Sequence, residues 1–390
     1  MNDSTLTKTT PALRPWMGAG LLIVLWALLA LVTSTMWRNP QALDFYPRWH
    51  GAREMLHNHN PYTLDINRTI LAEMGYTEFI PYKHNFGYPA TITWSLLPFW
   101  LLPYKLSVSM WGGLQLLLAF ALPLAVFRLL EWDIPPRRFV MIMLASTFLY
   151  RHTFSVYLLA QFIIFILACL IAAWWLVVIN RRWLAAWALV SAPIRPDGIV
   201  LAAALLFDLL LKRRFRLLIL WGALMGALFA LSVAWIGFWV PDFLDAMRGY
   251  RENLVSYYPP DVLGVDLLVP PFLIGVLVWG AWLLWQMRPL PDRLRIPWSL
   301  SVAILVYLLT LPQSKDYTLV YALLPAWMVL WAGRDQVWPG RFVLLIFLTT
   351  WLYPLMGQIH RPLYRLDQLL TPVLLGILLT YQWRRDHRPT

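Results

Sequence analysis

Apolar runs of about 20 residues, long enough to cross a bilayer as helices, recur along most of this chain, and one long polar interval interrupts them early. The first run is Met17–Met36. Further runs lie at about Phe86–Pro103, Leu106–Leu130, Phe139–Tyr150, Phe154–Ile179, Trp183–Leu211, Leu217–Val240, Val262–Met287, Pro297–Pro312, Leu319–Ala332, Phe342–Met356 and Leu369–Trp383. With Trp183–Leu211 counted once, the pattern predicts about twelve crossings.

Residues 37–85 form the polar interval. Within it, Tyr46–Leu56 (Trp49, Ala52, Met55, Leu56) and Leu64–Met74 (Ile66, Ile70, Leu71, Met74) have the apolar spacing of amphipathic helices. Such helices can lie on a membrane surface, with Asn60-Pro61-Tyr62 as the turn between them. A structureless loop of this length is uncommon, so the interval is expected to carry the functional site. No internal repeat or second domain is visible, and residues 1–390 read as one all-α polytopic membrane domain.

Composition agrees with the pattern. The chain is 60% hydrophobic and only 13% charged, with a mean hydropathy of +0.59, too little charge to cover a soluble protein of this length. A barrel would show alternating segments of roughly ten residues instead. The 24 Trp and 17 Tyr, many at the ends of apolar runs, suit interfacial belts. A net charge of +12 could suggest nucleic acid, but the cations sit in short clusters between runs. Membrane lipids with anionic headgroups, and a phosphate-bearing lipid substrate, are the partners that this charge implies, not nucleic acid. The single Cys169 excludes a disulfide framework or a cysteine metal cluster. Met17–Met36 is a full-length span with no small-residue cleavage site after it.

Charge also sets an expected orientation. With the N-terminus inside, Lys212–Arg216, Arg288–Arg295, Arg334–Arg341 and Arg384-Arg385 all fall in the cytoplasm. Trp37–Asn85, Pro241–Asp261, Gln313–Tyr317 and Gly357–Asp367 then converge outside. Arg137-Arg138 and Arg181-Arg182 violate this scheme. A break at Pro193-Ile194-Arg195-Pro196, with Phe86–Leu130 crossing only once, is an alternative that moves Arg195 to the outer face.

The outward segments gather carboxylates, cations and aromatic rings, which suit a sugar and a phosphate: rings stack on sugars, cations neutralise phosphate and a carboxylate takes a proton. Asp44 is a candidate general base, or an N-cap of the first loop helix. Arg195 lies in an apolar run, where a cation is expensive; it marks a site or pairs with Asp197 or Asp208. Gln161 is a ligand or interhelical glue. Arg48 and Arg53 read equally as headgroup anchors. His50, His57, His59 and His84 lack a metal-ligand spacing and read as solvated surface. Glu131 and Asp133 read as loop charges, and Tyr257 as part of an interfacial turn that could stack on sugar.

Three groups of residues carry a family resemblance: Asp44-Phe45-x-x-x-Trp49-x-Gly51-Ala52-Arg53, Asn60-Pro61-Tyr62 and Phe86-Gly87-Tyr88-Pro89. Together they resemble the first extracytoplasmic loop of glycosyltransferase family 87, polytopic GT-C enzymes that include polyprenol-phosphate-mannose-dependent mannosyltransferases. Ala160-Gln161 after Tyr157, Arg195-Pro196, and the region from Ser314 to Pro325 are similar to later marks of that family. The resemblance implies inverting transfer of a hexose, mannose by analogy, from a polyprenyl-phosphate donor to a lipid or glycan acceptor at the outer face of the cell membrane. It implies Asp44 as base, with Arg195, Lys315, Tyr317, His360 and Arg361 on the donor. Trp49, Arg53, Tyr62, Tyr88, Gln161 and Tyr257 would then contact substrate. A monophosphate donor has less need of a divalent metal, and no Asp-x-Asp occurs; Glu131 and Asp133 are the only weak alternative for one. Lys315-Asp316 stand before Tyr317 where many members carry a His. The competing class is a multi-pass transporter or flippase. That class favours ionisable residues inside several spans and a repeat relating two halves; here the runs are almost free of charge away from their ends, Arg195, Asp197 and Asp208 excepted.

Overall fold

Several helices in this protein stop at prolines or at left-handed residues, although Pro123, Pro297 and Pro372 lie inside helices. The computed structural model describes residues 15–36, 44–253, 266–311, 316–359 and 366–386, and among them every regular element is helical. The first apolar helix is α1 (Pro15–Met36). The polar interval then folds into α2 (Phe45–Leu56) and α3 (Leu64–Glu73), matching the two expected amphipathic helices to within a residue at each end.

The run Phe86–Pro103 is not a spanning helix. It forms two single turns, α4 (Ile92–Ser95) and α5 (Leu97–Trp100). Pro89, Pro98 and Pro103 each lack a backbone donor and crowd the preceding turn, and three of them this close together break the stretch into single turns. The long helix that follows is α6 (Tyr104–Leu129).

Next, α7 (Pro136–Leu144) continues as a π turn, Ala145–Leu149, and bends by 58° into α8 (Arg151–Leu158). After α9 (Ile163–Val178) comes α10 (Arg182–Ser191). A 3₁₀ turn, Ala192–Ile194, separates it from α11 (Pro196–Leu211), so the break at Pro193-Ile194-Arg195-Pro196 is present. The remaining helices are α12 (Phe215–Ile236), α13 (Val240–Asn253), α14 (Val269–Gln286) and α15 (Asp292–Thr310). A 3₁₀ stretch, Asp316–Ala322, leads into α16 (Leu323–Ala332), followed by α17 (Trp338–Thr349), α18 (Leu352–Ile359) and α19 (Leu366–Asp386).

Among the described residues four helices (α6, α12, α14, α15) are long and apolar enough to cross a membrane, or five if the bent α7–α8 pair is one span. Gly20–Thr35, α9 and Tyr317–Ala332 are shorter apolar helices. Leu21, Ile219 and Ile274 are all more exposed than buried. Apolar surface of this extent is what lipid contact requires.

The packing explains how the polar interval is held. In α1 and α6 the backbones touch: a Cβ on Gly113 would stand 2.6 Å from the Ala30 nitrogen. Trp26 Nε1 donates to the Met110 carbonyl at 2.8 Å, and Thr33 Oγ1 to that of Ser109 at 2.8 Å. Phe45, fully buried, stacks on Trp111 at 5.7 Å and Phe162 at 5.8 Å. A buried Phe stabilises by about 2–3 kcal/mol, and each aromatic pair adds roughly 1 kcal/mol. The first turn of α2 is thereby fastened to α6 and to the start of α9, and Asp44 immediately precedes it. Further along the interval, Asn67 bridges the Lys83 carbonyl (3.0 Å) and the Tyr82 N–H (2.7 Å).

Candidate active site

Asp44 occupies the N-cap position of α2 with helical backbone angles (φ −62°, ψ −12°), and its side chain makes no capping bond. The capping alternative is therefore not what this carboxylate does. One oxygen, Oδ2, accepts a hydrogen bond from Gln161 Nε2. The other, Oδ1, lies 4.0 Å from His84 Nδ1. The opposite imidazole nitrogen of His84 is 2.7 Å from the hydroxyl of Tyr76, an exposed residue. Arg48, one helical turn after Asp44, donates to the Asp44 backbone carbonyl.

Gln161 is placed by the way α8 ends. Ala160 takes a left-handed backbone (φ 51°). Its N–H donates to the Tyr157 carbonyl at 3.1 Å, and the Gln161 N–H to that of Val156 at 2.9 Å. This is the Schellman pattern of helix termination, in a position where Gly is usual. The turn delivers the Gln161 amide between two charged groups. Its Oε1 accepts from the Arg195 guanidinium at 2.7 Å while Nε2 donates to Asp44.

Arg195 is extended (φ −131°, ψ 159°), as a residue before proline must be, and Pro196 then starts α11. Arg195 Nε donates to Asp197 Oδ1 at 3.0 Å, and Tyr321 donates to Asp197 Oδ2 at 2.8 Å. The pairing with Asp197 exists, but it leaves the Arg195 fork bonded to Gln161 as well and lying over the Tyr317 ring at 5.5 Å. Asp208 is not its partner; Asp208 accepts from Arg295. A continuous chain thus runs Asp44, Gln161, Arg195, Asp197, Tyr321. Gln161 joins elements here, and it does so between charged groups at the site.

Beside this chain lies a cavity of about 380 Å³, lined by Arg48, Arg195, Asn85, Tyr88, Tyr250, Tyr317 and neighbours. Arg48 and Arg195 are each only 8% exposed. The Arg48 guanidinium sits over the Tyr88 ring at 5.1 Å. Among the described residues Arg48 has no carboxylate within ion-pair distance, and both its Nε and the buried Tyr88 hydroxyl lack a hydrogen-bond partner. A buried cation without a counter-charge is costly unless an anion joins it. Burial opposes the charge on Arg48, but the surrounding Tyr88 and Asp44 oxygens prevail and hold its pKa above the ordinary value. Burial likewise pushes the Tyr250 phenol up. The cavity is therefore an aromatic-lined, positively charged recess next to a carboxylate, with the charge to hold an anion.

The expected site residues divide into three groups. Asp44, Gln161, Arg195, Tyr88 and Tyr317 are brought together at the cavity and the chain beside it. Trp49, Arg53 and Tyr62 are not part of its lining. Trp49 Nε1 donates to the Leu102 carbonyl at 3.0 Å, Arg53 covers the Trp49 ring at 4.9 Å, and buried Tyr62 donates to the Tyr88 carbonyl at 2.6 Å. Of the three, Tyr62 is the one that holds the Tyr88 backbone. Tyr257, Lys315, His360 and Arg361 lie outside the described residues.

Glu131 pairs with Arg293, at the far end of α6 from the polar interval. Among the described residues no three His, Cys, Asp or Glu side chains gather as metal ligands. His84 is a correction: it faces Asp44 and is not a purely solvated surface residue. Arg48 and Tyr250 are cavity residues that the sequence reading did not assign to the site. The signal for Arg48 was its i+4 spacing from Asp44, which puts both on one helical face; that for Tyr250 was its place in Pro241–Asp261, one of the outward segments expected to converge. No known protein family, curated protein or solved structure matches this chain.

Proposed function

We propose that this chain is an inverting membrane hexosyltransferase of the GT-C type. On this reading about twelve crossings hold the cavity at the outer face of the cell membrane, with both termini in the cytoplasm. The donor is a polyprenyl-phosphate hexose, with mannose favoured by the family resemblance, and the acceptor is a lipid or glycan hydroxyl. One observation carries the reading: two buried guanidiniums line one aromatic cavity, and beside it Gln161 is bonded to both Arg195 and the Asp44 carboxylate.

Asp44 takes the proton from the acceptor hydroxyl. That oxygen forms a bond to the anomeric carbon from the face opposite the phosphate, and the bond from carbon to phosphate oxygen breaks. The electron pair leaves with the lipid phosphate, where Arg48 and Arg195 stabilise the added charge. Two cations already serve the leaving group, so this scheme calls for no divalent metal. Aromatic faces at Tyr88, Tyr250 and Tyr317 offer stacking surfaces for the sugar.

The test is incubation of the purified protein in nanodiscs with radiolabelled polyprenyl-phosphate sugars and extracted acceptor lipids. Asp44→Asn should lower turnover at least about 100-fold, the lower range for a positioned base, while melting like the parent. Arg48→Gln should lower kcat as well as raise donor KM, because its charge serves the departing phosphate more than the bound donor. Donor consumption by Asp44→Asn at the parent rate would sink the proposal, and so would a parent protein that consumes no donor, which is what a flippase would give.

A further inference from the structure

Helix α11 carries Arg195 at one end and enters a second polar region at the other. Asp208 lies about 20 Å along the helix from Arg195, at 1.5 Å rise per residue, so this region is separate from the cavity. Here α11, α14 and α15 enclose a cleft of about 510 Å³. Its walls are apolar: Phe207, Leu211 and Leu284 line it and are themselves exposed, so it opens sideways where lipid chains would lie.

Its polar end is cationic. Lys212 Nζ donates to the Arg288 carbonyl at 2.7 Å, which ties the end of α11 to the α14–α15 connection. The Arg288 guanidinium lies 3.9 Å from the centre of the Trp285 ring, parked over the interfacial indole. Among the described residues neither Lys212 nor Arg288 has a carboxylate within ion-pair distance. Deeper in, Arg295 is 2% exposed and held by Asp208 and by Asp292 at 2.9 Å. Arg295 Nε and Asp208 Oδ2 are buried there without a hydrogen-bond partner. Arg295 and Arg214 are balanced by Asp208 and Asp292, so the charge left for a ligand is that of Lys212 and Arg288.

An apolar trough open to the bilayer and closed at one end by two cations outside ion-pair distance of any described carboxylate is complementary to an amphiphile with an anionic head. We infer that this cleft binds one anionic phospholipid from the surrounding bilayer. Its phosphodiester lies between Lys212 and Arg288, and an acyl chain runs along Phe207, Leu211 and Leu284. A zwitterionic lipid offers the same phosphate but also an ammonium that the two cations repel. Inorganic phosphate offers the charge without the chain. The bound lipid would brace the end of α11 against α14 and α15. The inference does not depend on the activity proposed above.

The experiment uses the full-length protein in mild detergent, supplied with phosphatidylglycerol, phosphatidylcholine or inorganic phosphate, and read by native mass spectrometry and thermal melting. Phosphatidylglycerol should be retained and should raise the melting temperature, and added salt should weaken it. The Lys212→Gln/Arg288→Gln protein should bind it about 30-fold more weakly, from two charges contributing about 1 kcal/mol each, with phosphatidylcholine unchanged. Equal retention of the two lipids by the parent would overturn the inference. So would stabilisation by inorganic phosphate equal to that by phosphatidylglycerol, or parent-like phosphatidylglycerol binding by the double variant.

Discussion

Gln161→Leu tests the chain between the proposed base Asp44 and the proposed phosphate site at Arg195 most directly. Leucine is close to glutamine in volume, so the change removes two hydrogen bonds without opening a cavity. Gln161 is buried, and water cannot easily enter in its place. A hydrogen bond to a charged group is worth about 1.5–3 kcal/mol. Arg195 keeps its bond to Asp197 at 3.0 Å, and the Asp44 side chain is 22% exposed, so solvent and Asp197 compensate in part. Both losses then fall near the low end, for a destabilisation of about 3 kcal/mol. The kinetic loss has a different origin. Without the amide, the carboxylate can drift by an ångström, and misplacement on that scale costs about 100-fold, or about 2.7 kcal/mol of transition-state stabilisation.

The assay is sugar transfer from a polyprenyl-phosphate donor, with kcat and KM resolved and melting measured alongside. Gln161→Glu is the informative companion. It keeps a bond to Arg195 but sets a second carboxylate against Asp44, which raises the apparent pKa of the pair. The acid limb of its pH–rate profile should therefore move to higher pH, a change that a merely structural residue would not produce. Transfer by Gln161→Leu within about threefold of the parent, less than 1 kcal/mol, refutes the idea that this amide positions the base.

Two further predictions concern stability. A Cβ at Gly198 would stand 2.1 Å from the Ala192 carbonyl oxygen and 3.3 Å from Ile166. Neither backbone nor a packed branched side chain can yield cheaply, so Gly198→Ala should cost about 3 kcal/mol, read as a lowered melting temperature. Tyr46, Tyr62 and Tyr250 are all held above the ordinary phenol range, by burial first and, for Tyr46, by its hydrogen bond to Glu73. The unfolded chain releases these protons near pH 10 while the folded protein retains them. Their contribution is therefore complete below about pH 10 and is lost as pH rises toward the folded values. Melting scans in nanodiscs should show stability falling above about pH 10; a flat profile there contradicts the assignment.

Parts of this architecture were legible because local chemistry decides them. The two helices of the polar interval follow from apolar spacing around a Pro turn, and the break before α11 follows from Pro193 and Pro196. Asp44 stood out as a carboxylate between an apolar run and an amphipathic helix. The run Phe86–Pro103 misled because hydropathy counts apolar residues and ignores backbone donors. Its prolines prevent a span, and Trp100 is buried against protein rather than lipid. Arg48 looked like a headgroup anchor for the opposite reason. What buries it is remote in sequence: α13 lies over the polar interval through Asn85 Nδ2 to the Ala246 carbonyl at 3.0 Å and Asn60 to Asp242 at 2.5 Å. The crossing number was the least legible quantity, because many helices here have about half the length of a span, and composition alone does not say which of them cross.

The site residues share one feature that bears on the proposed chemistry. Asp44 precedes α2, Gln161 follows α8, Arg195 precedes α11, and Tyr317 lies in the 3₁₀ stretch before α16. Chain ends of this kind point side chains along helix axes into a common space, and the partly positive N-terminus of α11 faces that space too. Before transfer, a phosphodiester donor would bring one negative charge beside Asp44, Asp197, Arg48 and Arg195. As the acceptor proton reaches Asp44, that carboxylate becomes neutral and the departing phosphate gains the charge it gave up. The total charge in the cavity stays constant while one unit moves from the carboxylate toward the guanidiniums. Fixed cations at the receiving end favour the later distribution over the earlier one, which is the differential stabilisation that speeds a reaction. Gln161, donating to the side that loses charge and accepting from a cation on the side that gains it, holds the two ends at a set separation throughout.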